Sequence, residues 1–211
     1  FNLNREVNSS GSVKDNLYFI DKECAKEFKK NEELNILDVG CGSGVYSKIL
    51  DRKGSRTQNW KYSGTEINEV LVKLCTKYFP NNIFFLSTSD KIKSIDNKYD
   101  VLLSSAALHY ALDSWKDSLA EMSRVSKKFI LVTRFPLTKY HDTFYVRQTV
   151  QSFSGVETHY FICINRMEFE EFLKSCGLVI VKRDYSLEEF NIAGIKEKII
   201  LNQYLLQKNN G

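Results

Sequence analysis

Apolar residues along the chain form short runs, and between the runs they recur at the spacing of an amphipathic helix. The short runs predict five strands before residue 134, at residues 35–39, 61–66, 82–86, 99–104 and 128–133. The helical spacing predicts helices at residues 45–53, 68–79 and 114–124. Strands that alternate with helices in this way are typical of an α/β fold with a parallel sheet.

The pattern changes after the fifth predicted strand. Residues 137–165 are rich in aromatic side chains and show no clear helical period, so we expect a long irregular insertion. Long insertions in compact domains often act as lids or binding loops, and we place such a lid at residues 134–165.

Regular structure resumes with a predicted helix at 166–176, a strand at 178–185 and a last strand that includes 203–207. Because residues 186–195 hold no convincing helix, the two late strands should pair antiparallel. We therefore predict a Rossmann-like, doubly wound α/β sheet of seven strands, mostly parallel with an antiparallel C-terminal hairpin.

Composition narrows the class of protein. The chain has 211 residues, of which 43% are hydrophobic and 27% charged, as is typical of a soluble globular protein. We expect a single domain over 1–211 that starts with a flexible N-terminus and leading helix at 1–30. The net charge of +4 comes without a basic block, so no nucleic-acid partner is expected. No apolar run approaches the roughly 18 residues of a membrane span. The five scattered cysteines favour reduced thiols and a cytoplasmic location over a metal site.

A glycine-rich turn follows the first predicted strand, in the order Asp38-Val39-Gly40-Cys41-Gly42-Ser43-Gly44. Glycines at the end of a strand let the backbone turn sharply and approach a ligand closely. The following helix presents unpaired N–H groups to that ligand, and Tyr46 in its first turn could lie against it. A dinucleotide fingerprint needs its third glycine one residue later than Gly44, which disfavours a nicotinamide cofactor.

Polar residues follow the second and third predicted strands. Glu66 ends the second strand, where an acidic side chain can accept hydrogen bonds from both ribose hydroxyls, although a solvated surface position would suit it too. Ser89 and Asp90 follow the third strand, and Asp90 could equally cap a short helix. The pattern supports a nucleoside-binding site at the carboxyl edge of the sheet.

The segment Asp-x-Gly-x-Gly-x-Gly resembles the first motif of class I S-adenosylmethionine-dependent methyltransferases, and residues 35–133 resemble that family in the order and spacing of their elements. The resemblance implies S-adenosylmethionine as cofactor, with its methionine part at the glycine turn and its adenine near residues 87–90. The residues assigned to the cofactor are Asp38, Gly40, Cys41, Gly42, Gly44, Tyr46, Glu66, Ser89, Asp90 and Ser105.

A closer likeness lies in the segments 104–110, 131–136, 157–161 and 165–169. They resemble a family of predicted methyltransferases whose genes tend to lie among those for bacterial surface polysaccharide. This resemblance implies an acceptor that is a sugar or a sugar nucleotide, which the lid expected at residues 134–165 would cover as its substrate.

Three side chains are candidates for the chemistry of the acceptor. Methyl transfer is an in-line displacement that depends on positioning, and a hydroxyl acceptor benefits from a base. His109 follows the fourth strand and is the first candidate base, while His159 lies in the insertion. Arg134 could bind a phosphate or carboxylate of the acceptor. Each also has a plainer interpretation: His109 as a packing residue, Arg134 in a surface ion pair, and His159 on a loop surface.

We therefore expect a cytoplasmic, metal-independent methyltransferase that acts on a hydroxyl of a sugar or sugar-phosphate intermediate of surface polysaccharide. The alternatives are a methyltransferase of another small metabolite and a catalytically silent cofactor-binding protein. A nicotinamide oxidoreductase and an RNA methyltransferase are less well supported. The sequence leaves the oligomeric state open.

Overall fold

A computed structural model describes residue 20 and residues 24–29, 32–50, 59–152 and 155–209 of the chain. Most of the predicted N-terminal segment 1–30 lies outside these residues. Within it, Ala25–Glu27 form one turn of 3₁₀ helix, and Ile20, Cys24 and Ala25 are buried in the core. No helix within the described ranges is both long and apolar enough to cross a membrane.

The predicted alternation of strands and helices is present over the described ranges. The strands are β1 (Asn35–Val39), β2 (Lys61–Glu66), β3 (Ile83–Leu86), β4 (Tyr99–Ser105), β5 (Ser126–Thr138), β6 (Phe144–Ser152), β7 (Gly155–Asn165), β8 (Leu178–Phe190) and β9 (Ile199–Lys208). The helices are α1 (Val45–Leu50), α2 (Glu69–Tyr78), α3 (Trp115–Val125) and α4 (Arg166–Ser175), with a 3₁₀ helix at Leu108–Ser114.

The sheet has the order β3-β2-β1-β4-β5-β9-β8 across its seven central strands. Strands β1 to β5 pair in parallel, whereas β9 is antiparallel to both β5 and β8. The predicted fold class, with its antiparallel C-terminal hairpin, is confirmed. The carboxyl ends of β1, β2, β3, β4 and β5 therefore lie along one edge, which is where open α/β sheets bind their ligands.

Successive residues of the central strands face opposite layers of the molecule. On β4, Leu102 packs into a core that contains Trp115, Leu119 and Phe169 of the helices on one face. Its neighbours Val101 and Leu103 pack into a second core on the other face. A parallel strand that is covered on both faces needs apolar residues at every position, which explains its unbroken apolar run.

The sequence pattern led us to expect an irregular insertion at 137–165. The structure shows that this insertion is mainly a second β-hairpin. Strand β5 continues to Thr138, and β6 and β7 pair antiparallel from Phe144↔Cys163 to Ser152↔Gly155. This inserted hairpin buries Val146, Phe161 and Cys163 beside Ile199 of the C-terminal hairpin. Its aromatic and β-branched residues favour strands, and a search for a helical period does not detect them. The two extra strands raise the total in the described residues from the predicted seven to nine.

Candidate functional site

The glycine turn after β1 passes unusually close to the end of β4. Gly40, Gly42 and Gly44 have φ angles of +75°, +53° and +70°. A Cβ on Gly40 would lie 2.5 Å from the Cβ of Ala107, which is closer than atoms can approach. The amides of Gly40 and Cys41 both donate to the carbonyl of Thr65 at 2.9 Å. The turn is therefore held against β2 and β4 by its main chain.

Glu66, at the end of β2, receives hydrogen bonds from three backbone amides. Its Oε2 accepts from Gly42 N at 2.9 Å, and its Oε1 accepts from Ile67 N at 2.9 Å and Asn68 N at 3.0 Å. A carboxylate offers about four lone-pair positions, so Oε2 keeps the capacity to accept from a ligand hydroxyl. The structure thus connects the glycine turn to the acidic residue in the position expected for a ribose contact.

A cavity of about 410 Å³, which we call the turn cavity, opens beside these two groups. It lies at the carboxyl ends of β1 to β4, and its volume is within the roughly 300–1,000 Å³ of small-ligand sites. Its lining includes Val39, Gly40, Glu66, Ile67, Ser87, Thr88, Ser89, Asp90, Ser104, Ala106, Ala107, Leu108 and Tyr110. The lining joins an acidic side chain, a row of hydroxyls and apolar side chains, as a nucleoside requires. The residues present therefore fit S-adenosylmethionine.

Two residues assigned to the cofactor lie behind the turn and do not line the cavity. Asp38 is 1% exposed and accepts a hydrogen bond from the Tyr62 hydroxyl at 2.6 Å. Burial raises the pKa of its carboxyl to about 7, although the Tyr62 hydrogen bond opposes the shift. Cys41 is also buried and packs against Gly64. A Cβ added to Gly64 would lie 2.7 Å from the Sγ of Cys41. Both side chains support the turn from beneath.

The other assigned residues divide between lining and support. Gly40, Glu66, Ser89 and Asp90 line the turn cavity, whereas Tyr46 and Ser105 form a hydroxyl–hydroxyl contact of 3.1 Å that joins α1 to the end of β4. Ser89 lies 2.7 Å from the Ser118 hydroxyl. A Cβ on Gly44 would lie 3.1 Å from Cys75 Sγ, so Gly44 permits close packing of the turn on α2, and Gly42 contributes its amide to Glu66.

A second and larger cavity, of about 710 Å³, lies on the other side of the 3₁₀ helix, and we call it the hairpin cavity. It is lined by the ends of β4 and β5, by the inserted hairpin and by the segment that follows β8. Its lining includes Ala106, His109, Tyr110, Arg134, Arg147, Gln148, Phe161, Glu189, Phe190 and Asn191. Ala106 and Tyr110 line both cavities, so the two spaces meet at these residues.

The backbone is strained where the cavities meet. Ala106 lies directly after β4 and Arg134 lies within β5. Both have a φ of +53°, a backbone conformation that residues other than glycine rarely adopt. The amide of Ala106 donates to the carbonyl of Thr133 at 3.0 Å, which ties the two positions together. Such strain costs roughly 1–3 kcal/mol per residue and occurs preferentially at functional sites.

His109 lies in an aromatic environment on the hairpin-cavity side of the 3₁₀ helix. Its ring is 4.3 Å from that of Tyr110 and 5.6 Å from that of Phe161, measured between centroids. The side chain is 8% exposed, and burial, together with the charge of Arg134, lowers its pKa to about 3. The imidazole is therefore neutral at neutral pH. Its Nδ1 is buried without a hydrogen-bond partner among the described residues.

His159 does not line either cavity. It pairs with Gln148 in the inserted hairpin, its side chain is 46% exposed, and its Nε2 lies 3.4 Å from Glu157. Strand alternation gives it the same face as Phe161, but further towards the tip. The structure thus brings His109 and Arg134 together at one cavity and leaves His159 outside it.

Several cavity-lining residues were absent from the sequence-based site. Gln148 and Phe161 come from the inserted hairpin, and Phe190 and Asn191 come from the end of β8 and the residue after it. A period-two pattern with β-branched and aromatic residues at 144–150 and 156–164 was the available signal for the hairpin. Nothing local in the sequence indicates that the two hairpins face each other.

Comparison with known proteins supports the fold and the domain type. A family model described as a methyltransferase domain matches residues 37–129, which is less than half of the 211 residues. An uncharacterized chloroplastic methyltransferase of Arabidopsis thaliana is 28% identical over 157 residues, which are 69% of this chain and 43% of that protein. The aligned region thus spans less than half of that relative's length.

Two solved structures have the same fold. An S-adenosylmethionine-dependent methyltransferase from Clostridium acetobutylicum superposes with a TM-score of 0.68 at 14% identity, over 98% of this chain and 96% of that one. A second, from Methanosarcina mazei, gives a TM-score of 0.64 at 18% identity, over 87% and 95% of the two chains. The cofactor named for both agrees with the one predicted from the glycine motif.

Proposed function

We propose that this protein transfers a methyl group from S-adenosylmethionine to a hydroxyl of a small acceptor, which belongs to the sugars or sugar phosphates. The observation that carries the proposal is the meeting of two cavities at Ala106 and Tyr110. A transfer reaction requires that cofactor and acceptor occupy adjacent spaces with an opening between them, since the reacting atoms must come into near-attack contact.

The turn cavity is the proposed cofactor site. S-adenosylmethionine, when bound, supplies a methyl group that is already activated by its positive sulfur. Glu66 would accept a hydrogen bond from the ribose through Oε2, and the hydroxyl-rich segment 87–90 would lie against the adenine. Gly40 and Gly42 keep the turn free of side chains, and Glu66 holds its Gly42 amide at 2.9 Å.

The hairpin cavity is the proposed acceptor site. Gln148 and Asn191 offer amide donors and acceptors for hydroxyl groups, and Phe161 and Phe190 offer apolar ring faces for the C–H surface of a sugar. His109 presents an unpartnered Nδ1 in a neutral ring, which can accept a hydrogen bond from an acceptor hydroxyl and so orient its lone pair. The residues of this cavity thus hold, orient and desolvate the acceptor.

The resemblance of segments 104–110, 131–136, 157–161 and 165–169 to methyltransferases from polysaccharide gene clusters supports a sugar-type acceptor, with a sugar nucleotide among the candidates. The inserted hairpin would then be the substrate lid that the sequence predicts. Surface polysaccharide synthesis and a cytoplasmic location are parts of the same proposal.

The first experiment is a calorimetric titration of the protein with S-adenosylhomocysteine, with NAD as a parallel ligand. We expect binding of the former alone. Glu66→Ala should weaken it by about 100-fold, since charge-assisted hydrogen bonds contribute roughly 1.5–3 kcal/mol each. Glu69→Ala is the matched control, because Glu69 is an exposed acid three residues away that pairs with Lys73. Binding of NAD alone would contradict the proposed cofactor.

The second experiment screens acceptors by mass spectrometry for a gain of one methyl group. The panel contains sugars, sugar phosphates, nucleotide sugars and unrelated small hydroxy compounds, each with S-adenosylmethionine. Methylation confined to the sugar-based members supports the proposal. Methylation of another metabolite class, or cofactor binding without turnover of any member, would favour one of the two alternatives named from the sequence.

A further inference from the structure

The charges around the hairpin cavity are unevenly distributed. Three charged residues belong to its lining within the described chain: Arg134, Arg147 and Glu189. Glu189 forms an ion pair with Lys198, which compensates its negative charge. Arg134 is the charged lining residue whose charge acts on the buried His109.

The two arginines differ in where their side chains can reach. In the inserted hairpin, the cavity-facing side carries Val146 and Phe161, which pair across the strands and are both buried. Arg147 is the next residue on β6, so strand alternation assigns its side chain to the opposite face of the hairpin. Arg134 projects from the strained position on β5, and its charge acts on the buried His109 ring.

We propose that the acceptor is an anion whose carboxylate or phosphate binds Arg134. The hydroxyl to be methylated donates a hydrogen bond to Nδ1 of His109, which orients it. This inference deepens the proposed function and rests on it. A guanidinium binds either oxyanion through paired N–H donors. His109 is more than nine-tenths buried and its Nδ1 lacks a partner in the described structure, so this edge of the cavity has a polar group in place for a ligand.

The arrangement couples recognition of the anion to the chemistry of the hydroxyl. The positive charge of Arg134 disfavours a proton on His109. An oxyanion bound to Arg134 offsets that charge and increases the proton affinity of the imidazole. His109 therefore takes up the hydroxyl proton more readily when the cavity holds an anionic substrate than when it contains water.

The test compares three probes that share a hexose ring: glucose, glucuronate and glucose 6-phosphate. Each is titrated into the protein saturated with S-adenosylhomocysteine, and binding is followed by calorimetry and by the imidazole NMR signals. The chain has three histidines, so His109→Gln assigns the signal of interest. We expect at least one anion to bind at least tenfold more tightly than glucose and to shift the ring signals of His109, because the hydroxyl of the bound anion then donates a hydrogen bond to Nδ1.

Variants of the two arginines locate the anion. Arg134→Gln should remove the preference for anions, and Arg134→Lys should retain part of it, because lysine keeps the charge without the paired donors. Arg147→Gln removes an equal charge from the neighbouring strand β6, on the face that strand alternation turns away from the cavity, and should change anion affinity by less than twofold. Circular dichroism verifies that each variant is folded, and the lysine variant serves if glutamine prevents folding.

The outcomes separate the possible ligands and the two proposals. A preference for glucuronate indicates a carboxylate acceptor, and a preference for the phosphate ester indicates a sugar phosphate. Equal affinity for glucose and both anions, no shift of the His109 signal by either anion, or an equal effect of the two arginine-to-glutamine variants would overturn the inference. Failure of S-adenosylhomocysteine to bind, with anion binding at Arg134 intact, would reject the proposed function and leave the anion site standing.

Discussion

The turn cavity and the hairpin cavity meet at one edge of the sheet, yet they are built in different ways. The turn cavity is formed by short segments that each directly follow a parallel strand, and main-chain hydrogen bonds to Thr65 and Glu66 hold its glycine turn. The hairpin cavity combines the ends of β4 and β5 with two hairpins that are distant in sequence. The first depends on backbone geometry, and the second depends on long-range packing.

This difference indicates which changes each cavity tolerates. Substitutions in the turn cavity act through steric clash or loss of a backbone hydrogen bond, so we expect them to affect folding and binding of the proposed cofactor together. Substitutions on the hairpin-cavity wall change which side chains face the proposed acceptor while leaving the sheet intact. Specificity can therefore change on one side while the other side is kept, as expected when binding loops are carried on a stable scaffold.

The strongest way to break the comparison is to add a Cβ to the turn. Gly40→Ala places that atom 2.5 Å from Ala107 Cβ at a φ of +75°. Overpacking and left-handed strain together should lower the free energy of unfolding by about 3 kcal/mol. Gly42→Ala is the matched control, because its Cβ would meet nothing within 4 Å and only the strain of about 1–2 kcal/mol remains. Urea denaturation measures both, and equal losses would contradict the close approach of the turn to β4.

The next effect concerns His109, the buried titratable group of the hairpin cavity. The pKa of this side chain is about 3 in the fold and about 6.5 when unfolded. Below pH 6.5 the unfolded chain binds a proton that the native state does not, so His109 makes stability fall as the pH falls towards 3. The stability difference between wild type and His109→Gln should shift by about 2 kcal/mol between pH 7 and pH 5, in favour of the variant. A constant difference would mean that His109 is not held neutral.

Asp38, behind the glycine turn, should make stability depend on pH in the opposite direction, which sharpens the comparison. Burial raises the pKa of its carboxyl from 3.8 to about 7. Between these values the unfolded chain has released a proton that the native state keeps, so the contribution of Asp38 to stability decreases as the pH rises. Asp38→Asn can still accept the hydrogen bond from Tyr62. Relative to wild type, its free energy of unfolding should increase by at most about 1.4 kcal/mol per pH unit from pH 4 to 7. Denaturation series at several pH values test the sign, which must be opposite to that for His109→Gln.

The smallest effect is expected for His159. Its ring is half-exposed near the tip of the inserted hairpin, and its Nε2 lies 3.4 Å from Glu157 in a surface pair that is ionic only when the imidazole is protonated. Such pairs contribute roughly 0–1 kcal/mol, so His159→Gln should change stability by less than about 0.5 kcal/mol and anion affinity by less than twofold. A loss of tenfold or more in anion affinity would show that the hairpin tip closes onto the acceptor.

Local sequence patterns were sufficient for the fold and for much of the turn cavity. The period of apolar residues located β1 to β5 and the C-terminal hairpin, because buried strands and amphipathic helices have distinct spacings. Gly40 and Glu66 were identified because each lies directly after or at the end of a strand, where parallel strands bring separate segments to one edge. The same patterns gave Asp38 a ligand role, whereas its side chain is directed to Tyr62 beneath the turn.

The sequence by itself determined the order of the strands and helices, the glycine turn and the acidic residue that faces it, since these depend on neighbours in the chain. Only the tertiary structure decided that residues 144–165 form a hairpin, that this hairpin and residues 189–193 enclose one cavity, and that His109 and Arg134 share it. The physical reason is that each wall residue is placed by packing against segments tens of positions away. Such contacts leave no periodic signal in the segment itself.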